Sequence, residues 1–268
     1  MPASVAAPDW QRNVAQSFSR AAPRYLALAG AQQRMGEALW QHLPSRATTI
    51  LDLGCGPGHW TTRLAAHYRT SVLGLDLAPG MLAEARRRSA GRGQWLCADA
   101  ARLPLADASL DLVFSNLALQ WCPDPEQTFG ELHRVLAPGG TALINTLAPG
   151  TLAEVAEAWP RPRALLDFAA PARVVAACRS AGLGVVVEQV SERFHYPDFG
   201  AVMASIKGVG AQRPAPPGQA PLTRRDLQCA RQRYERFRET AGLPVTYQRL
   251  TLILQRGPHP TPSSETSP

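Results

Sequence analysis

From Thr49 onward, short apolar runs alternate with stretches whose apolar positions recur at helical spacing. ILDL is an apolar run of strand length, residues 59–68 carry a helical pattern, SVLGLDL is again a strand, residues 80–89 a helix, and residues 94–98 a short strand. Parallel neighbours need a crossover element, so this βαβαβ order predicts a parallel sheet with helices on both faces. LDLVFSNLAL adds a fourth strand, residues 125–136 a helix, and TALINTLA a fifth strand after the turn Pro138-Gly139-Gly140. Beyond Gly150 the pattern predicts helices near 152–159 and 172–181, a strand over 184–196 and a last strand in TYQRLTLIL. Before Thr49, Val14, Phe18, Tyr25, Leu28, Met35 and Leu39 recur at helical spacing, and Pro44 closes that stretch.

These elements divide the chain into a helical N-terminal extension (1–45), a core domain (46–256) with an insertion over about 197–243, and a polar, Pro-rich tail (257–268) expected to be disordered. The segment AQRPAPPGQAPL inside the insertion predicts a loop. No apolar run is long enough for a membrane span, and the first twenty residues lack the features of a secretory signal, which predicts a cytoplasmic protein. Five scattered cysteines without a CxxC pair predict neither a disulfide framework nor a zinc site, and no metal is expected. The net charge of +7 admits nucleic acid, an acidic carrier protein or a small anion as partner, without choosing among them. Lys207 is the only lysine among the 28 basic residues.

The chemistry concentrates where the strands end. In ILDLGCGPGHW, Asp52 precedes Gly54, Gly56 and Gly58, which let backbone approach a ligand where a Cβ would obstruct it. The spacing is GxGxG, whereas the dinucleotide fingerprint that sets a helix end on a pyrophosphate is GxGxxG. A ligand without phosphate is therefore expected, and Asp52 suits a cationic one. Asp76 ends the second strand, where a carboxylate accepts hydrogen bonds from both ribose hydroxyls. Asp99, read as ending the third strand, and Ala100 stand where a carboxylate and the next amide read the amino edge of adenine. Each aspartate alone is more often a helix cap, but at successive strand ends they describe a nucleoside site.

LDLGCGPG, GLDLAPGML, ADAARLPLADASLDLVFSN and ELHRVLAPGG, in that order, resemble the successive motifs of the class I methyltransferases. The resemblance implies a Rossmann-like α/β fold, a seven-stranded, mostly parallel sheet with one antiparallel strand. It also implies S-adenosylmethionine as methyl donor, S-adenosylhomocysteine as product, and Gly54, Gly56, Asp76, Leu77, Asp99, Ala100 and Asn116 as cofactor contacts. SNLALQWCPDPEQTFGELHRVLAPGG, VAQSFSRAAPRYLALAGAQQRMGEAL, VMASIKGVGA and LPVTYQRLTLIL are further similar to the malonyl-acyl-carrier-protein O-methyltransferase family of biotin synthesis.

That similarity implies methyl transfer to the free carboxylate of a malonyl thioester, carried on an acidic carrier protein or on coenzyme A. It implies an N-terminal lid containing Phe18, Tyr25 and Gln32, with the Tyr25 hydroxyl near the methyl group. Trp121 would wall the acceptor pocket, and Lys207, Gly208 and Gly210 would face the malonyl carboxylate. Ala204 departs from a position that is commonly basic in the family. A carboxylate is already ionised at neutral pH, so no general base is required, and His59, His67 and His133 are given no catalytic role. The arginines of TRRDLQCARQRYERFRE would face the carrier, although a solvated helix face is the more common reading of such a run. The same core motifs also fit a methyltransferase for a quinone precursor or another small acid. A third reading is a cofactor-binding, RNA-associated or catalytically silent protein, although the chain lacks interleaved aromatic and basic patches.

Overall fold

The computed structural model describes residues 7–159, 166–208 and 223–257. The apolar run of β1 (Ile50–Leu53) is buried at all four positions and lies inside a seven-stranded sheet of order β3-β2-β1-β4-β5-β7-β6. β2 (Val72–Asp76) and β4 (Leu110–Asn116) flank it in parallel register. β3 (Gln94–Cys97) and β5 (Leu136–Leu147) continue the parallel sheet outward. β7 (Leu243–Arg256) runs antiparallel to both β5 and β6 (Leu183–Tyr196). The strand order reverses between β1 and β4, and in open α/β sheets ligands bind beyond the strand ends at such a switch point.

Helices cover both faces, which is why the central strands are buried on both sides and do not alternate between buried and exposed positions. On one face Leu51, Leu53 and Leu75 pack with Phe129 and Leu132 of α6 (Pro125–Val135) and Val174 of α8 (Pro171–Ser180). On the other, Ile50, Leu112 and Phe114 pack with Leu39 of α3 (Gly30–Trp40) and Trp60 and Leu64 of α4 (His59–Tyr68). The helix after β2 is α5 (Pro79–Arg88). β5 begins five residues before the predicted strand: the Pro138-Gly139-Gly140 turn is an irregular start to it, where the register with β4 shifts between Leu110 and Leu112.

Between β6 and β7 stand α9 (Phe199–Lys207) and α10 (Arg224–Tyr234). With α7 (Ala153–Ala158) they form a second apolar cluster around Val155, Trp159, Phe199, Tyr234 and Tyr247. Gly210, the Pro-rich loop 211–222 and the tail 258–268 lie outside the described residues. Among those described, no helix is long and apolar enough to cross a membrane, and no group of three His, Cys, Asp or Glu side chains is placed to hold a metal ion.

The N-terminal extension folds as α1 (Ala7–Ala21), a short turn, α2 (Tyr25–Leu28) and α3. A buried polar chain fixes α3 to the strand ends. Thr251 Oγ1 donates to Asn145 Oδ1 at 2.7 Å, and Asn145 Nδ2 donates to Met35 O at 2.8 Å and to Asn116 Oδ1 at 3.1 Å. Asn116 Nδ2 then donates to Gln32 O at 2.9 Å. Truncating Asn145 leaves several of these groups buried and unpaired, each costing about 1–3 kcal/mol. Asn145→Ala is expected to lower stability in urea denaturation by about 2 kcal/mol or more. A variant as stable as the wild type would contradict this chain.

Candidate functional site

The C-terminal ends of β1, β2 and β4 open onto a cavity of about 820 Å³, mouth included. Its floor is the glycine-rich turn. Gly54 N and Cys55 N both donate to Leu75 O, at 2.7 and 3.0 Å, which ties the turn to β2. Gly56 N donates to Asp76 Oδ2 at 2.9 Å. Gly56 has φ +53°, and a Cβ there would meet nothing of the protein within 4 Å, so its bare backbone faces open space. The other two glycines serve packing: a Cβ on Gly54 would lie 2.2 Å from Ala118 Cβ, and one on Gly58 would lie 2.5 Å from the Trp95 ring.

Asp76 is the hub of this floor. Besides Gly56, its Oδ1 accepts from Ala78 N at 2.8 Å, just ahead of α5. An ionised carboxylate offers about four lone-pair sites, so two backbone bonds leave about one acceptor direction on each oxygen. Two ribose hydroxyls need that number. Desolvation is the larger influence on this carboxyl and raises its pKa to about 6, against the lowering effect of the two N–H bonds.

Asp99 lies two residues beyond the end of β3, not at its end as expected, because the chain turns back there into an Asp99–Arg102 bridge. Its Oδ1 accepts from Ala101 N at 3.0 Å and its Oδ2 from Gln11 Nε2 at 2.6 Å. Gln11 belongs to α1, which roofs the cavity with Trp10, Gln11, Val14, Ala15 and Phe18, one face of a helix. Trp10 stacks on Trp121 with centroids 6.4 Å apart, and its Nε1 donates to Trp121 O at 3.2 Å. Phe18 meets Trp121 edge-on at 5.1 Å. At Gly80 a Cβ would lie 2.7 Å from Ser19 Cα, and Gly80 N donates to Ser19 Oγ at 3.1 Å; the missing side chain lets α1 sit against α5.

Of the residues singled out in the sequence, Gly54, Gly56, Asp76, Leu77, Asp99, Ala100, Asn116, Tyr25 and Trp121 all line this one cavity. Asp52, Gly58, Gln32 and Lys207 do not. Lys207 is exposed at the edge of the second cluster, its Nζ 6.0 Å from the Trp159 ring centroid. Gly208 packs against Leu28. Trp10, Gln11 and Met81 line the cavity without having been singled out, since no local pattern marks a contact such as Gln11 to Asp99 across 88 residues.

Asp52 faces the interior, 1% exposed, and accepts from Thr61 Oγ1 of α4 at 2.6 Å. Burial raises its pKa to about 7, the Thr61 hydroxyl opposes that rise, and Asp76 adds to it. A raised folded-state pKa means that Asp52 favours the fold below its unfolded value and loses that contribution as pH rises through about 7. Asn keeps the acceptor for Thr61 and carries no charge. The stability of Asp52→Asn relative to wild type is therefore expected to be highest near pH 8 and to fall as pH is lowered to 5, in urea denaturation at both values. A difference independent of pH would show that Asp52 is not buried as a carboxylate.

The "Methyltransferase domain" family profile matches residues 51–144, which span β1 to β5. The malonyl-[acyl-carrier protein] O-methyltransferase of Methylovorus sp. is 39% identical over 253 residues, covering 88% of this chain and 85% of the relative. The biotin biosynthesis bifunctional protein BioHC of Cellvibrio japonicus is 38% identical over 252 residues, covering 91% of this chain; the chain spans only about half (50%) of that relative's length. Among solved structures, a Haloferax volcanii methyltransferase in complex with the Trm112 methyltransferase activator superposes with a TM-score of 0.59 at 23% identity, covering 92% of this chain and 99% of that one. At that level the structural likeness speaks for the fold alone. Identity of this size over most of both sequences shows that the chain belongs to the malonyl-[acyl-carrier protein] O-methyltransferase family of class I methyltransferases, with S-adenosylmethionine as methyl donor.

Proposed function

We propose that this protein transfers the methyl group of S-adenosylmethionine to the free carboxylate of a malonyl thioester, giving the methyl ester and S-adenosylhomocysteine in the synthesis of biotin. The observation that carries the reading is the cavity across the strand ends, in which the acceptors suited to a nucleoside appear in the order the ligand needs. From β3 to β4 the wall presents Asp99, Asp76, the bare Gly56 backbone and Asn116. Three steps between strands about 4.8 Å apart span about 14 Å, the reach of an extended adenosyl-methionine skeleton.

In this reading Asp99 and Ala100 hold the adenine edge, Asp76 the ribose, and Gly54, Gly56, Leu77 and Asn116 border the rest of the cofactor. Asp52 and Gly58 shape the turn from behind and touch no ligand. S-adenosylmethionine supplies a methyl group made electrophilic by its positive sulfur. The acceptor carboxylate is ionised at neutral pH, so the protein has no proton to remove and acts by alignment and exclusion of water. Trp10, Phe18 and Trp121 form the apolar wall suited to that exclusion. Burial, and after it the charge of Asp76, raises the Tyr25 pKa, so its hydroxyl remains a neutral donor and cannot serve as a base.

The carrier is proposed to be an acidic acyl-carrier protein or coenzyme A, met in the cytoplasm. Arg224, Arg225, Arg231 and Arg233 on the solvent side of α10 offer a positive face to it.

Methyl-labelled S-adenosylmethionine offered with malonyl-carrier protein, malonyl-coenzyme A and free small acids tests the reading. A base-labile methyl ester on the malonyl thioester is expected. Label appearing in RNA or on a ring carbon, with no ester formed, would refute the assignment.

A further inference from the structure

The cavity-lining face of α1 is apolar or aromatic at Trp10, Val14, Ala15 and Phe18 and carries one amide, Gln11. Its Nε2 donates to Asp99 Oδ2 at 2.6 Å, across 88 residues of chain. A carboxylate has no N–H to give, so it is the nitrogen of the amide that faces Asp99. From the other side Ala101 N donates to Asp99 Oδ1 at 3.0 Å. Asp99 is thus held at both oxygens, once by its own loop and once by the N-terminal extension. With two of about four lone-pair sites taken, it keeps about one acceptor direction on each oxygen, and both Asp99 and Ala100 line the cavity.

The Gln11 bond is not what docks α1, because α1 is anchored at other points. Trp10 stacks on Trp121 and donates to its carbonyl, Phe18 meets the same ring edge-on, and Ser19 Oγ accepts from Gly80 N. What Gln11 alone adds is orientation. The terminal torsion of an aspartate is broad, so a bond at one oxygen leaves the carboxylate plane loosely defined, whereas a bond at each oxygen defines it. Reading a base edge requires that definition. The 6-amino group of adenine is a donor beside the acceptor N1, and a 6-oxo purine reverses both, offering an acceptor beside N1–H.

We propose that Gln11 is a positioning residue for base recognition: by holding Asp99 Oδ2 from the roof, it sets the carboxylate plane that selects the 6-amino group of adenine against a 6-oxo base. Recognition of the base then depends on the N-terminal extension as well as on the sheet. The inference rests on the assignment of adenine to Asp99 in the reading above and is independent of the acceptor.

Calorimetric binding of S-adenosylhomocysteine and of S-inosylhomocysteine, the same molecule with a 6-oxo base, tests this. The wild type is expected to prefer S-adenosylhomocysteine by about tenfold or more, the effect of a charge-assisted hydrogen bond. Gln11→Leu suits a helix and is expected to bind S-adenosylhomocysteine about fivefold more weakly, with S-inosylhomocysteine within about twofold of wild type, so that the preference shrinks. Gln11→Glu sets a second carboxylate against Asp99, and the pair regains a donor when it holds one proton. Its affinity for S-adenosylhomocysteine relative to wild type at the same pH is therefore expected to rise as pH is lowered from about 8 to about 5. Taking that ratio cancels any titration the two proteins share, that of Asp76 included. Equal losses for both ligands in Gln11→Leu, an unchanged preference, or a Gln11→Glu ratio that stays level with pH would each overturn the proposal. A wild-type protein that bound both ligands equally would overturn the placement of adenine at Asp99, and the proposal with it.

Discussion

The site depends on one carboxylate doing two jobs. Asp76 accepts a backbone N–H from the glycine turn after β1 and another from Ala78, just ahead of α5, and so ties two crossover units together at the edge of the cavity. Both bonds favour the ionised form while desolvation opposes it, and desolvation is the larger influence. The result is an acceptor whose charge is incompletely satisfied by the protein. In the proposed reading, hydroxyl donors from a ribose complete it. A carboxylate in open water would have little to gain from the same contacts, since it would exchange one set of hydrogen bonds for another.

Around this hub the protein places elements of opposite character. The floor is backbone and carboxylate, whereas the roof is aromatic and comes from the N-terminal extension. The roof is held by specific bonds as well as by apolar contact: Gln11 to Asp99, Trp10 to the Trp121 carbonyl, and the close approach of α1 to Gly80. Behind the floor, the Thr251–Asn145–Asn116 chain carries the position of β5 and β7 into the start of α3. Misplacing these buried donors costs more than leaving them where they are, so the chain defines position more than it adds net stability.

Much of this was legible in the sequence, and the reasons are local. The strands and crossover helices follow from apolar periodicity, and β2, α4 and α6 lie within a residue or two of the predicted limits. The GxGxG turn is readable because positive φ favours glycine at Gly54, Gly56 and Gly58. What sequence spacing could not show is which way a side chain faces once neighbours are in place. Asp52 appeared suited to a cationic ligand, yet it points inward to Thr61, a partner set by the docking of α4. Asp99 lies past its strand because the chain turns back beyond β3 into the Asp99–Arg102 bridge. Trp10 and Gln11 carry no local signal, since their partners are Trp121 and Asp99, far away in the chain.

The central claim is that an ionised Asp76 receives the ribose, and the pH dependence of product affinity tests it most directly. S-adenosylhomocysteine affinity, measured by calorimetry from about pH 8 to pH 5, is predicted to be level while Asp76 is ionised and to weaken as pH falls through about 6, with Asp76→Asn weak and level throughout. Wild-type affinity that stayed constant down to pH 5, or an Asp76→Asn variant that bound as tightly as wild type, would contradict the account.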